Sequence, residues 1–169
     1  GDHRDLHSFP TRRASDLSIG SMDEQVWKTN EPGAPGPMAR MEAMQFLVEN
    51  GITAGVMMAP LLPGISDSEE SINEVAGAAA EHKAQFLGAN VLFLKPGSKE
   101  WFMPMLRETY PHLTTAYDKM YRKTYAPKEY TSMVLKAVDK ARWEWGLPVM
   151  EPTKDLRGQQ RQLELALTA

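Results

Sequence analysis

The sequence has 169 residues, enough for one domain with a sizeable hydrophobic core. Its formal charge is −3 and it contains no cysteine, which excludes disulfides, thiolate zinc sites and cysteine-ligated iron–sulfur clusters within this polypeptide. No apolar run approaches the ~18 residues that a membrane helix needs, so we predict no membrane partner and a cytoplasmic location.

The first segment, residues 1–17, reads GDHRDLHSFPTRRASDL and has neither an apolar period nor a signal-peptide cleavage site. It resembles the translation of a common sequencing adapter at every position except Ala14, where the adapter codes serine. We therefore predict that residues 1–17 are a non-native, adapter-derived segment whose junction is Leu17. The alternative is a flexible basic arm whose arginines contact an acidic partner.

The next segment alternates strand and helix signals. Residues 18–21 (SIGS) are typical of the C-terminal end of a strand. Asp23 is predicted to cap a short helix, and the prolines and glycines of residues 30–37 exclude a helix or an inner strand there. Methionine, leucine and valine spaced three or four apart then predict an amphipathic helix that ends at Asn50-Gly51.

Two apolar runs follow, separated by a helix. Residues 52–58 and 88–94 are apolar without alternation, which is typical of strands covered on both faces. Between them, Asp67 and Glu70 predict a capping box for a helix that extends to about Lys83. Strand, helix, strand at this spacing predicts a βαβ unit with parallel strands and a right-handed crossover.

The remaining periodic segments predict helices over residues 99–109, 111–123 and 127–145. Five tyrosines interleave with lysine and arginine here. Stacking on nucleic-acid bases and packing of amphipathic helices both explain this pattern, and we favour packing.

Polar side chains occur where the predicted strands end, which is where ligands gather in parallel βα architectures. The three ends offer Ser18 and Ser21, then Ala59-Pro60, then Lys95. A hydroxyl can bond a carboxylate or ribose oxygen, an Ala-Pro edge can pack on an adenine face, and a lysine can bind an anion. The alternatives are turn chemistry for the serines and a solvated charge for the lysine.

Arg40 lies near the start of its predicted helix, off the apolar stripe, where it is either exposed or a partner for Glu31. Neither His82 nor His112 has a histidine or carboxylate partner four residues on, and His3 and His7 lie in the segment predicted to be adapter-derived, so no metal site is predicted in this chain. There is no dinucleotide-binding fingerprint, P-loop or nucleophile elbow. Composition and spacing alone therefore identify no reaction.

A series of short motifs nevertheless runs from residue 18 to residue 147. In chain order they are Ser18, Glu31-Pro32-Gly33, Arg40 with Glu42-Ala43, Gly51 through Ala59-Pro60, Pro63-Gly64 with Asp67, Leu94-Lys95-Pro96-Gly97 and Trp145-Gly146-Leu147. Their order and spacing resemble the second half of the radical S-adenosylmethionine (SAM) enzymes related to spore photoproduct lyase.

The resemblance implies an α/β fold. Residues 18–97 would be the C-terminal half of a partial (β/α)6 radical SAM barrel, from the end of strand four to strand six. A C-terminal helical extension over residues 98–147 and a polar tail over residues 148–169 would follow.

The resemblance also implies a function. The full-length parent would be an enzyme that reductively cleaves SAM at a [4Fe–4S] cluster to generate a 5′-deoxyadenosyl radical. Its substrate is unknown, with nucleic acid suggested by kinship alone. The C-x-x-x-C-x-x-C loop that holds the cluster is absent from this chain, so we predict that this fragment alone is inactive.

The cofactor-binding residues that the resemblance implies are Ser18, Ser21, Arg40, Ala59, Pro60 and Lys95. Ser18 would contact the amino-acid end of SAM, and Ala59-Pro60 would lie by the adenosine. Arg40 would support the first strand end, and Lys95 would face the cavity. Two other hypotheses remain: a non-enzymatic domain that binds a partner or nucleic acid, and part of another TIM-barrel enzyme.

Overall fold

A computed structural model describes residues 15–149. Its strands are β1 (Ser15–Ser18), β2 (Ala54–Leu61) and β3 (Leu87–Val91). Its α-helices are α1 (Glu24–Asn30), α2 (Pro37–Glu49), α3 (Glu69–Glu81), α4 (Ser98–Thr109), α5 (Thr114–Met120) and α6 (Lys128–Glu144). A 3-10 turn, Pro111–Leu113, forms the start of the helix predicted over residues 111–123 and leads directly into α5, which ends at Met120.

The three strands form one parallel sheet in the order β1-β2-β3. Parallel neighbours need crossover connections, and helices α2 and α3 lie within them. Ser18 pairs with Met57 and Met58 with Ala89, after which the register shifts before Leu61. All three strands therefore end at the same edge of the sheet.

The prediction of half a (β/α)6 barrel is wrong, although the α/β class and the parallel βαβ unit are correct. Within residues 15–149 the sheet is open, with β1 and β3 as its two edges. A barrel needs further tilted strands that pair until the sheet closes on itself. Beyond β3 the described chain forms helices instead, so the architecture is a small three-stranded parallel sheet with six α-helices.

Strand β1 includes Ser15, Asp16 and Leu17, which belong to the segment predicted to be adapter-derived. Their backbone pairs in register with β2, from Ala54 onward. Backbone pairing requires no particular side chain, so it does not test whether these residues are adapter-derived. The predictions for residues 1–14 and for the tail over 150–169 lie outside the described residues.

Apolar side chains from both faces of the sheet and from the helices make one core. Helices α2 and α3 pack on β2, and α3 also packs on α6. The fully buried members include Met41, Met44, Val56, Met58, Leu61, Ile72, Val75, Leu87 and Leu106. Each such side chain stabilises the fold by about 1.5–3 kcal/mol relative to exposure, so the core dominates the stability.

Helix capping explains where two helices begin. The Asp23 carboxylate accepts hydrogen bonds from the backbone N–H groups of Gln25 (2.7 Å) and Val26 (3.0 Å), as the sequence predicted. Helix α3 is capped by Ser68, whose hydroxyl accepts from the Ser71 N–H at 3.1 Å, and not by Asp67. Among residues 15–149, no helix is both long and apolar enough to cross a bilayer.

Candidate functional site

A cavity of about 320 Å³ opens at the edge where the three strands end. The chain leaving β1 lines it from Ser18 to Ser21, the end of β2 contributes Ala59 and Pro60, and Leu92 follows β3. The loop after β2 adds Leu62 and Ser66, and helices α1, α2 and α4 supply the other walls. The lining is mainly apolar with a few polar groups, which is the usual composition of a small-molecule site.

A close backbone approach forms one end of the cavity. A Cβ atom placed on Gly20 would lie 2.9 Å from the carbonyl oxygen of Pro60, closer than real contacts allow. The absence of a side chain at Gly20 therefore lets the chain leaving β1 pass directly against the end of β2. The Ala59–Pro60 peptide at this point is cis.

Arg40 holds the outer wall of the cavity together. Its Nη1 donates to the carbonyl of Ser18 at 2.6 Å and its Nε to the carbonyl of Pro35 at 2.8 Å. Its Nη2 donates to the carboxylate of Glu31, so the ion pair considered from the sequence is present. The Arg40 side chain is 13% exposed, and its planar fork links three segments of chain at once.

The two predicted serines act through different atoms. Ser21 is buried, and its hydroxyl accepts from the backbone N–H of Asp23 at 3.0 Å, which orders the turn into α1. Ser18 offers its backbone carbonyl to Arg40. The turn chemistry that the sequence left open for Ser21 is therefore what its hydroxyl does here.

Five of the six predicted cofactor-binding residues line this one cavity, and Lys95 does not. The Lys95 side chain is exposed, and its Nζ lies 5.5 Å from the centre of the Phe93 ring, in cation–π contact. Strand β3 ends at Val91, earlier than the predicted strand, so Lys95 lies several residues beyond the edge of the sheet.

Sequence reasoning missed two cavity residues on helix α1, Trp27 and Asn30. In the described residues, the indole Nε1 of Trp27 and the side-chain Oδ1 of Asn30 are the two buried side-chain polar atoms with no hydrogen-bond partner. A buried polar group without a partner destabilises a fold by about 1–3 kcal/mol, so such groups call for an explanation. The sequence indicated only that the two residues lie three positions apart in a short helix that follows the end of a strand, so that they share one helix face.

A second, more open groove adjoins the cavity across Ala59, Pro60 and Trp101. Phe93 lines this groove, and its ring centre lies 5.8 Å from that of Tyr125. The exposed faces of Phe93, Trp101 and Tyr125 make the region beside the cavity an aromatic surface.

The other tyrosines of the interleaved pattern are structural. Tyr117 and Tyr121 are buried, and they donate to the carbonyls of Pro63 and Leu92, each at 2.8 Å. Tyr130 donates to Asp67 at 2.5 Å. Burial raises the pKa of all three phenols above the ordinary value, and the Asp67 carboxylate adds to the effect at Tyr130. Packing therefore explains this part of the pattern.

Histidine and carboxylate side chains do not converge in the described part of the chain, where no group of three or more is placed to hold a metal ion. The ring of His82 lies with Nδ1 2.7 Å from the carbonyl of Ala78, in the last turn of α3.

Comparison with known proteins finds relatives but no described family. No family model matches the sequence, and no solved structure matches it. An uncharacterized protein of Mycobacterium tuberculosis is 31% identical over 130 residues, which are 76% of this chain and 38% of that protein. An uncharacterized protein of Methanocaldococcus jannaschii is 28% identical over 124 residues, 73% of this chain and 44% of that protein. The chain thus spans less than half the length of the relatives it matches.

Proposed function

We propose that this chain is the SAM-binding part of a radical SAM enzyme, and that the cavity at the sheet edge holds the adenosine portion of SAM. The observation that carries the proposal is the convergence of Ser18, Ser21, Arg40, Ala59 and Pro60 on one cavity. Each of these residues belongs to one of the short motifs, or to a strand end, that the sequence singles out. They come from three separate segments of the chain, and the parallel pairing of β1 with β2 brings two of these segments to the same edge of the sheet.

The cavity suits the adenosine portion of SAM in size and lining. A purine ring needs flat apolar walls, and Ala59, Pro60 and Trp27 supply them. A nucleoside also needs a small number of hydrogen-bonding groups, and polar residues such as Ser18, Asn30 and Glu31 are part of the lining. In this proposal, Arg40 acts by positioning the segment after β1 through the Ser18 carbonyl.

The [4Fe–4S] cluster does not fit this chain, because the sequence contains no cysteine to ligate it. When bound at a reduced cluster, SAM supplies a 5′-deoxyadenosyl radical that abstracts hydrogen from a substrate. In the proposal, the cluster belongs to a part of the whole protein outside this sequence, as the greater length of the relatives allows. The contribution of this chain is to bind and orient SAM.

Calorimetric titration of the full chain with SAM tests the binding step. We expect binding that Ala59→Leu abolishes, because the larger side chain fills the cavity beside Pro60. Ala39→Leu is the matched control: it adds the same atoms at an exposed position of α2 and should leave binding intact. Binding that survives Ala59→Leu, or no binding by the parent chain, would overturn the assignment of this cavity.

The redox part of the proposal has its own test. We expect the genomic reading frame that encodes residues 18–147 to encode a C-x-x-x-C-x-x-C motif upstream, and its product to form 5′-deoxyadenosine from SAM under reducing, anaerobic conditions. A reading frame without that motif, in a protein that still binds SAM, would make this a SAM-binding protein of another class.

A second candidate function is binding of single-stranded nucleic acid at the aromatic surface. The exposed rings of Phe93, Trp101 and Tyr125, with Lys95 beside Phe93, favour it, since bases stack on aromatic faces and phosphates bind lysine. Fluorescence anisotropy with a labelled single-stranded oligonucleotide tests this, and Phe93→Ala together with Tyr125→Ala should weaken binding. Equal binding by parent and double variant would exclude this surface.

A further inference from the structure

Trp101 is an exposed aromatic wall of the cavity. It is the fourth residue of α4, and it is 68% exposed although it lines the cavity. The other large apolar residues of the lining are buried or half-buried. The indole of Trp101 is therefore directly accessible to a molecule that enters the cavity.

Helix α4 does not depend on Trp101 for its attachment to the core. Phe102, Met103 and Leu106 are the buried residues of this helix. The ring of Phe102 stacks on that of Tyr117, with the ring centres 5.8 Å apart and the planes inclined by 26°. The indole of Trp101 can therefore contact a ligand without disturbing the packing of α4.

Trp101 also lies at the boundary between the cavity and the open groove beside it. The residues that line both are Ala59, Pro60, Leu92, Trp101 and Phe102. All five side chains of this shared wall are apolar or aromatic. The charged residues of the cavity lining, Glu31 and Arg40, do not belong to it.

This separation of charge orients a ligand such as SAM. Its amino and carboxylate groups need polar or charged partners, whereas its adenine ring offers two flat faces that pack on apolar surface. The shared wall therefore suits the base better than the amino-acid end. Among the side chains of that wall, tryptophan has the largest aromatic face.

We propose that Trp101 stacks on the adenine ring of SAM and covers the cavity on the side of the groove. Stacking on an aromatic side chain is available to any base, because every base has a π-face. The inference rests on the proposed function, in which this cavity holds adenosine, and it adds the residue that binds the base.

Titration calorimetry of the full chain and of Trp101→Ala tests the proposal with three ligands: SAM, S-adenosylhomocysteine and adenosine. All three carry the same base, so Trp101→Ala should weaken each by a similar factor, roughly tenfold or more. S-adenosylhomocysteine lacks the positive charge of the SAM sulfonium. It therefore separates stacking on the base from a cation–π contact with the sulfonium.

Two further variants serve as controls. Trp101→Phe keeps a smaller aromatic face, so its affinities should fall between those of the parent chain and Trp101→Ala. Trp143→Ala should leave all three affinities unchanged, because Trp143 is 84% exposed and lies outside the cavity lining. Urea unfolding of Trp101→Ala should match that of the parent chain, since the side chain removed is largely in water.

Each outcome separates this inference from the proposed function. Equal SAM affinity in the parent chain and Trp101→Ala overturns the stacking and leaves the function standing. A loss for SAM alone also overturns it, because the contact would then be with the sulfonium. Adenosine binding that requires Trp101, in a chain that does not bind SAM, supports the stacking and overturns the function. Failure of all three ligands to bind the parent chain overturns both.

Discussion

The loop after β2 and helix α1 differ in how their polar groups are hydrogen-bonded. In the loop, which we call the tied loop (residues 62–67), the Ser66 hydroxyl accepts from the Leu62 N–H at 3.0 Å and Asp67 accepts from the Gly64 N–H at 2.8 Å. Tyrosines from α5 and α6 then bond to the same loop. At α1, by contrast, a buried donor and a buried acceptor have no partner.

The tied loop has its polar groups satisfied within the chain, whereas α1 carries two buried atoms without partners, and both regions line the cavity. Each satisfied bond of the tied loop stabilises the fold by about 0.5–1.5 kcal/mol and joins the helical C-terminal part to the sheet. The two unpartnered atoms at α1 make no hydrogen bond and so add no such stabilisation to the folded chain. Such atoms are uncommon in folded proteins, and the two regions therefore differ in how completely their polar groups are hydrogen-bonded.

The largest expected effect is on the pH dependence of stability, because three phenols act in the same direction. Burial raises the pKa of Tyr117, Tyr121 and Tyr130 in the folded chain. Their stabilising contribution is therefore complete below the unfolded pKa of about 10 and is lost as the pH rises through the folded values. Urea midpoints should stay level up to roughly pH 9 and fall with increasing steepness above about pH 10.

The control for that experiment is Tyr125→Phe, since Tyr125 is 66% exposed. This variant should keep the alkaline decline of the parent chain. A decline that disappears in this variant would mean that Tyr117, Tyr121 and Tyr130 are not responsible for it.

Arg40→Lys is expected to destabilise the chain by about 2–3 kcal/mol, because an ammonium cannot hold three acceptors in one plane. The variant should also weaken SAM binding, since the segment after β1 loses its link to α2 through the Ser18 carbonyl. Urea unfolding and calorimetry measure the two effects. The size of the loss measures how much the Arg40 bonds stabilise the cavity wall, relative to the bonds of the tied loop. Unchanged stability would show that the Arg40 bonds are replaceable.

Tyr117→Phe is expected to destabilise the chain by about 1–2 kcal/mol, because it leaves the Pro63 carbonyl without its buried donor. The affinity for SAM should stay the same, since Tyr117 does not line the cavity. A lower affinity for SAM with an unchanged free energy of unfolding would show that Tyr117 acts on binding and not on stability. Denaturant titration and calorimetry on the same preparation make the comparison direct.

The sequence predicted local structure well where the cause is local. The Asp23 cap, the helix end at Asn50-Gly51 and the parallel βαβ unit all depend on residues close together in the chain. The cap of α3 was misassigned because Asp67 is engaged by Tyr130, which is 63 residues away. No short-range rule contains that information.

The sequence predicted only the part of the candidate site that depends on local strand patterns. Residues at strand ends can be found from strand patterns, and those at the ends of β1 and β2 do meet in one cavity. The barrel was predicted by resemblance, and the open sheet of the described residues contradicts it. Trp27 and Asn30 were missed because burial without a partner is a property of packing, and packing is visible only in three dimensions.

The smallest expected effect on stability concerns the unpartnered indole N–H of Trp27. Trp27→Phe removes buried apolar surface, which destabilises the chain, and also removes an unpartnered N–H, which stabilises it by about 1 kcal/mol. The two terms nearly cancel, so the free energy of unfolding should change by less than about 1 kcal/mol. Trp145→Phe is the matched variant, because the indole Nε1 of Trp145 donates to Asn73 at 2.8 Å. Its loss should destabilise the chain more, although Trp145 is 41% exposed. If Trp27→Phe lowered the free energy of unfolding more than Trp145→Phe did, the Trp27 indole would stabilise the fold in the way that the polar groups of the tied loop do.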